Sequence, residues 1–155
     1  YAQPADVVGV LVIDPSHEDQ FAGPPDPSAP LGIGSCTDAS CPVFEDITRV
    51  HEMTGGTVAG SLGDLPLIVL AHDPAQPFSD SPDYEAWWLK MGVDTATASS
   101  NSRHVTSGWS GHDIPYAHPG LVVEALTELV AAARADDHAL PACATAFPAL
   151  GGICD

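Results

Sequence analysis

Apolar residues in this chain gather into three dense runs and three helix-period faces, separated by stretches rich in proline, glycine and aspartate. Val7–Ile13 (VVGVLVI) is a β-branched run without alternation, the pattern of a strand buried on both faces as in a parallel sheet. Leu65–Ala71 (LPLIVLA) repeats that pattern, and His104-Val105-Thr106 predicts a shorter third strand. Val43, Phe44, Ile47, Val50 and Met53 recur at helical spacing and predict a helix that Gly55-Gly56 stops. Pro82–Met91 predicts a second helix with Trp87, Trp88 and Met91 as its apolar contacts, and Thr95–Ser102 continues or frays it. The strongest helical signal is Leu121–Arg134, with Leu121, Val122, Ala125, Leu126, Leu129, Val130 and Ala133 on one face and Pro119 near its start. The resulting order is strand, excursion with helix, strand, helix, strand, helix. It predicts an α/β fold: a mostly parallel sheet of about three strands flanked by helices. Three strands are few for a complete doubly wound domain, and the first looks central, so the chain reads as part of a larger domain.

Polar residues cluster where the apolar runs stop. The first run ends in Asp14-Pro15-Ser16-His17-Glu18-Asp19 and the second in His72-Asp73-Pro74. The C-terminal ends of parallel strands are where such sheets hold ligands and reacting groups. Each aspartate also suits the humbler task of capping a turn. After the third strand comes Ser107-Gly108-Trp109-Ser110-Gly111-His112, a loop of small residues that presents one histidine just before a helix signal. A histidine in that position suits a general base, and it suits equally well a residue that only bonds its own loop.

Composition changes the picture in two places. Fifteen prolines and fourteen glycines, among 155 residues of which 45% are apolar, imply one ordinary core with long irregular connections. The segment 21–63 is the largest of these; an insertion of that kind between strands predicts a cap or lid, and equally suits a packing element with no gating role. The four cysteines fall in two close pairs, Cys36 with Cys41 and Cys143 with Cys154. Three connectivities are open, local pairing is the simplest, and disulfides point to a secreted or otherwise extracytoplasmic protein. A reduced, cytosolic protein is the alternative.

A net charge of −17 with only four basic residues, Arg49, Lys90, Arg103 and Arg134, argues against nucleic acid and anionic membranes as partners. No apolar run reaches the roughly 18 residues of a membrane span. No secretory leader opens the sequence.

Val7–Asp19 (VVGVLVIDPSHED), Leu65–Ala71, Asn101–Val105 (NSRHV), Ser110–Ile114 (SGHDI) and Pro119–Leu126 (PGLVVEAL) together resemble the C-terminal half of an α/β-hydrolase-fold protein, of the kind found as secreted serine hydrolases in actinobacteria. No one of these motifs is specific; their order and spacing carry the likeness, which spans residues 1–134. Residues 135–155 fall outside it and read as a surface tail stapled by Cys143 and Cys154. The resemblance implies acyl transfer from an ester, a small-molecule substrate, to water without a cofactor. His112 matches the family's general base. Asp14 matches one of two family positions for the acid that orients it and is preferred, with Asp73 as its rival at the other. The family's Gly-x-Ser-x-Gly nucleophile elbow has no counterpart here. Ala59-Gly60-Ser61-Leu62-Gly63 imitates it but precedes a strand rather than a helix, and Ser110 lies on the histidine loop itself. The resemblance therefore implies that an N-terminal half of the same protein supplies the nucleophile and that this chain alone is inactive.

Two other classes compete. A non-catalytic secreted binding module would keep the fold without the chemistry. A divalent-cation site would use His17, Glu18, Asp19, His72 and Asp73, although no His-Glu-x-x-His spacing supports it and the preferred reading has no metal.

Overall fold

The computed structural model describes residues 6–15, 59–77, 80–143 and 146–154. The excursion from Phe21 with its helix at Val43–Met53 lies outside these residues, as do His17, Glu18 and Asp19 and most of the expected lid. Of the two expected disulfides, the one between Cys36 and Cys41 is not among the bonds described, because both cysteines also lie outside these residues.

Four strands form one mixed sheet in the order β1-β2-β3-β4. β1 (Val10–Ile13), β2 (Leu67–Ala71) and β3 (Ser102–Ser107) are parallel, with Ile13 beside Leu70 and Leu70 beside Val105. β4 (Gly152–Cys154) runs antiparallel to β3. The helices are α1 (Pro82–Ala96), α2 (Ile114–Ala117), α3 (Pro119–Arg134) and α4 (Ala146–Ala149).

The unbroken apolar run of β2 follows from its place between two layers: all five of its residues are buried. Ile68 and Leu70 pack toward α3 with Leu121, Ala125 and Leu129, whereas Leu67 and Val69 pack on the opposite face with Ala96 and Ala98 at the end of α1. Full burial of each such side chain contributes about 2 kcal/mol. α1 starts where Ser81 Oγ accepts a hydrogen bond from the Tyr84 amide, with Pro82 in the first turn. Its first-turn Asp83 and Glu85 favour the positive end of the helix dipole.

Two elements depart from expectation. β1 is only half-buried and lies at the edge of the described sheet, with Val8 65% exposed, although its β-branched run predicts burial on both faces. The chain after Arg134 is not a surface tail. It returns as β4, adding a fourth strand, and buries Phe147 completely among Val105, Leu121 and the rest of the α3-side core. The second expected disulfide is present: Cys143 and Cys154 are bonded across this return. A three-residue strand carries no periodicity to read, and its glycine hides it further. Among the described residues no helix is long and apolar enough to cross a membrane.

Candidate acid–base site

Because β1, β2 and β3 run parallel, their C-terminal ends lie side by side; Asp14 and His72 directly follow β1 and β2, and the loop after β3 brings His112 to the same cluster. Asp14 follows β1 in the left-handed region, at φ +42°, a conformation aspartate tolerates better than most residues. Its amide still bonds Leu70 O at 2.7 Å, so the turn begins from an intact ladder.

The buried Asp14 carboxylate is ringed by donors. Oδ2 accepts from His112 Nδ1 at 2.6 Å. Both oxygens lie 2.9 Å from His72 Nδ1. Oδ1 also accepts from the Trp88 indole at 3.2 Å. An ionised carboxylate offers about four acceptor sites, enough for this ring. Burial alone pushes the Asp14 carboxyl up, but the hydrogen bonds from His112 and His72 and their charge outweigh it and hold its pKa at about 2.

His72, fully buried, is bonded at both ring nitrogens: Nδ1 to Asp14 and Nε2 to Glu85 Oε1. Burial pushes its pKa down, whereas Asp14 first and Glu85 second push it up more strongly, to about 9. Glu85 and Trp88 reach the cluster because they sit three residues apart on the buried face of α1. The His112 ring keeps 40% of its side-chain surface exposed and meets Trp88 edge-on, with ring centroids 6.1 Å apart.

A second buried network shapes the loop that carries His112. Ser110 Oγ donates to Ser107 Oγ at 2.6 Å, and Ser107 in turn lies 3.1 Å from His118 Nδ1. With Ser107 donating, His118 Nδ1 is an acceptor and the ring is neutral, in keeping with burial that lowers its pKa against a backbone bond at Leu150. Trp109 stacks on His118 at 4.1 Å. Gly108 donates its amide to Gly151 O at 2.8 Å, and a Cβ there would collide with that same carbonyl, so the loop needs glycine to lie against the β4 turn.

The two aspartates divide clearly. Asp14 meets His112; Asp73 closes a turn, its Oδ1 accepting from the Ala75 amide at 2.9 Å and its own amide donating to Ser110 O. Neither serine near a sequence signal is placed as a nucleophile. Ser61 lies on an exposed turn before β2, in which the amides of Gly60 and Leu62 donate to Thr97 O and Ala98 O at the opposite end of the sheet. Ser110 is 1% exposed and its hydroxyl bonds Ser107. Of the residues considered for a cation, His72 has both nitrogens engaged and Asp73 serves its turn. Among the described residues no three His, Cys, Asp or Glu side chains are grouped to hold a metal ion. Of the four cysteines read as disulfide-forming, Cys143 and Cys154 are bonded to each other well away from this cluster, whereas Cys36 and Cys41 are not among the described residues.

His72 and Asp73 are adjacent in sequence, yet it is the histidine that enters the site, together with Glu85 and Trp88, neither of which the apolar pattern singled out for chemistry. An apolar cavity of about 390 Å³ lined by Val8, Leu11, Leu126, Leu129 and Val130 lies between β1 and α3 and includes none of the site residues. No family model, curated protein or solved structure matches the chain.

Proposed function

We propose that this chain carries the acid–base half of an α/β-hydrolase site that cleaves esters. The observation behind the reading is the buried Asp14 carboxylate holding Nδ1 of a half-exposed histidine at the C-terminal end of a parallel sheet. An imidazole held that way keeps its Nδ1 proton and takes a second one at Nε2. In the reaction, His112 removes the proton from a serine hydroxyl as the serine attacks the ester carbonyl, and returns it to the departing alkoxide. Asp14 fixes the tautomer and stabilises the imidazolium. A water molecule then repeats the sequence on the acyl-enzyme.

Neither Ser61 nor Ser110 is placed for that attack, and this reading assigns the nucleophile and the oxyanion donors, as the resemblance implies, to a preceding half of the same protein. The half-buried β1, with its doubly buried pattern, suits a sheet that continues beyond it. This reading keeps the segment 21–63 as a lid by its sequence alone. The Cys143–Cys154 disulfide suits an extracytoplasmic protein.

Hydrolysis of p-nitrophenyl acetate and butyrate by the longest encoded reading frame, beside the 155-residue chain, is the test. Turnover by the long form that His112→Ala abolishes supports the proposal. A long form with no upstream serine and no turnover replaces it with a non-catalytic module. Turnover by the short chain, lost in His112→Ala, overturns the claim that the nucleophile lies elsewhere.

A further inference from the structure

The reading above uses Asp14 and His112 and leaves a fully buried histidine, a buried glutamate and a tryptophan behind them without a task. We propose that His72 is a positioning residue, a permanent imidazolium clamped between Asp14 and Glu85 that locks the Asp14 carboxylate in the orientation received by His112. The proposal rests on taking Asp14 and His112 as the acid–base pair.

The argument is one of proton inventory. Asp14 accepts from His112, from Trp88 and from His72, so its nearest contact with His72 requires a proton on His72 Nδ1. The other nitrogen faces Glu85 Oε1, and a carboxylate there accepts, which requires a proton on Nε2 as well. Two ring protons make a cation. The alternative is a neutral ring with the proton on Glu85, and the two states differ in measurable ways.

Among the described residues, the groups around His72 are Asp14 after β1, Glu85 and Trp88 on α1, and, across the Asp14 carboxylate, His112 from the loop after β3. With Glu85 ionised their charges alternate: minus on Asp14, plus on His72, minus on Glu85. A cation bonded to both Asp14 oxygens prevents the carboxylate from rotating away. It also opposes protonation of His112, whereas Glu85, one step farther off, favours it. Removing the two charges therefore moves His112 in opposite directions, which a purely structural role does not do.

The test is long-range proton–nitrogen correlation NMR on the ¹⁵N-labelled chain, which reports the protonation of each imidazole nitrogen without any turnover. From about pH 5 to about pH 8, where free histidine loses its charge, His72 is expected to keep both ring protons. His72→Gln removes its signals and raises the His112 midpoint by roughly half a unit or more; Glu85→Gln lowers both the His72 and the His112 midpoints. A His72 with one protonated nitrogen at pH 7, or the same direction of shift at His112 in both variants, overturns the proposal. Should His72→Gln fail to fold, the unmodified spectrum and Glu85→Gln still decide. A neutral His72 leaves the Asp14–His112 pairing intact, and absence of ester hydrolysis leaves a charged His72 intact, so the two readings fail separately.

Discussion

Asp14 and His112 stand 98 residues apart in sequence and share a 2.6 Å hydrogen bond, although the strands that carry them are not neighbours. β2 runs between β1 and β3, and strands are spaced about 4.8 Å apart, so the histidine loop must reach back across the end of β2. The residue at that end is His72. A side chain there is covered by the pairing on either side, and a polar one must find partners within it. This explains why the intermediate strand ends in a group that donates to Asp14 rather than in the rival acid.

The two aspartates therefore predict different outcomes. In the longer form that the proposal expects to hydrolyse esters, Asp14→Asn should lower kcat on the order of 10⁴-fold, because an amide holds the imidazole in the wrong tautomer. It should also destabilise the fold by roughly 3–5 kcal/mol by leaving the buried His72 without its anion. Asp73→Asn should keep activity within about threefold, because an asparagine oxygen can still accept from the Ala75 amide. Steady-state ester hydrolysis with a thermal melt of each variant measures both effects. Full activity in Asp14→Asn would remove Asp14 from the mechanism.

Stability should depend on pH in a manner set by the same pair. Asp14 is held at about 2 against an ordinary 3.8, so its contribution is complete above about 3.8 and is lost as pH falls toward 2. His72 is raised to about 9 from an ordinary 6.5, so its contribution is complete below about 6.5 and is lost as pH rises through 9. Each limb spans on the order of 3 kcal/mol, and because both describe one interaction they are not added. Urea unfolding midpoints should form a plateau between about pH 4 and 6.5 and fall on both sides. In His72→Gln the decline above pH 6.5 should shrink; an unchanged alkaline limb would assign it to another group.

The hydroxyl chain beneath the histidine loop gives a third expectation. Ser107→Ala removes the partner of both Ser110 Oγ and His118 Nδ1 in a buried site, a loss of about 1–3 kcal/mol. Exposed Ser102→Ala on the same strand should stay within about 0.5 kcal/mol. Amide exchange at Ser110, which donates to Ser107 Oγ at 3.3 Å, should accelerate in the first variant alone. Equal behaviour of the two variants would mean that the network does not hold the loop.

Sequence and structure agree where burial is two-sided and periodic. β2 and the long α3 are legible because every residue of one is buried and Leu121, Ala125 and Leu129 of the other meet a core, although Leu126 and Val130 of the predicted face stay exposed; the parallel order follows from them. The places of Asp14 directly after β1 and of His112 in the loop after β3 are legible from the order of the strands. The roles of His72, Glu85 and Trp88 were not. Trp87 and Trp88 look alike in a helical pattern, and only the angle of α1 over the sheet turns the indole of Trp88 onto Asp14 while Lys90 lies over Trp87. Glu85 reads as a first-turn acid favoured by the helix dipole, and it becomes a partner of His72 only when the two elements dock.

The C-terminal return supplies the last expectation. Phe147 is fully buried against the α3-side core, and Cys143 bonds Cys154 eleven residues on. Phe147→Ala should cost about 3–5 kcal/mol, the range for deleting a buried aromatic side chain. Cys143→Ser paired with Cys154→Ser should cost about 3 kcal/mol by releasing a loop of this length in the unfolded chain. A surface appendage would lose no more than about 0.5 kcal/mol from either change. Phe147 and both cysteines contact one cluster, so the combined variant should depart from additivity. Denaturant unfolding of the three variants tests this. Because Gly108 rests its amide on Gly151 O, loss of the return should also raise exchange at Gly108, linking the stapled segment to the loop that presents His112.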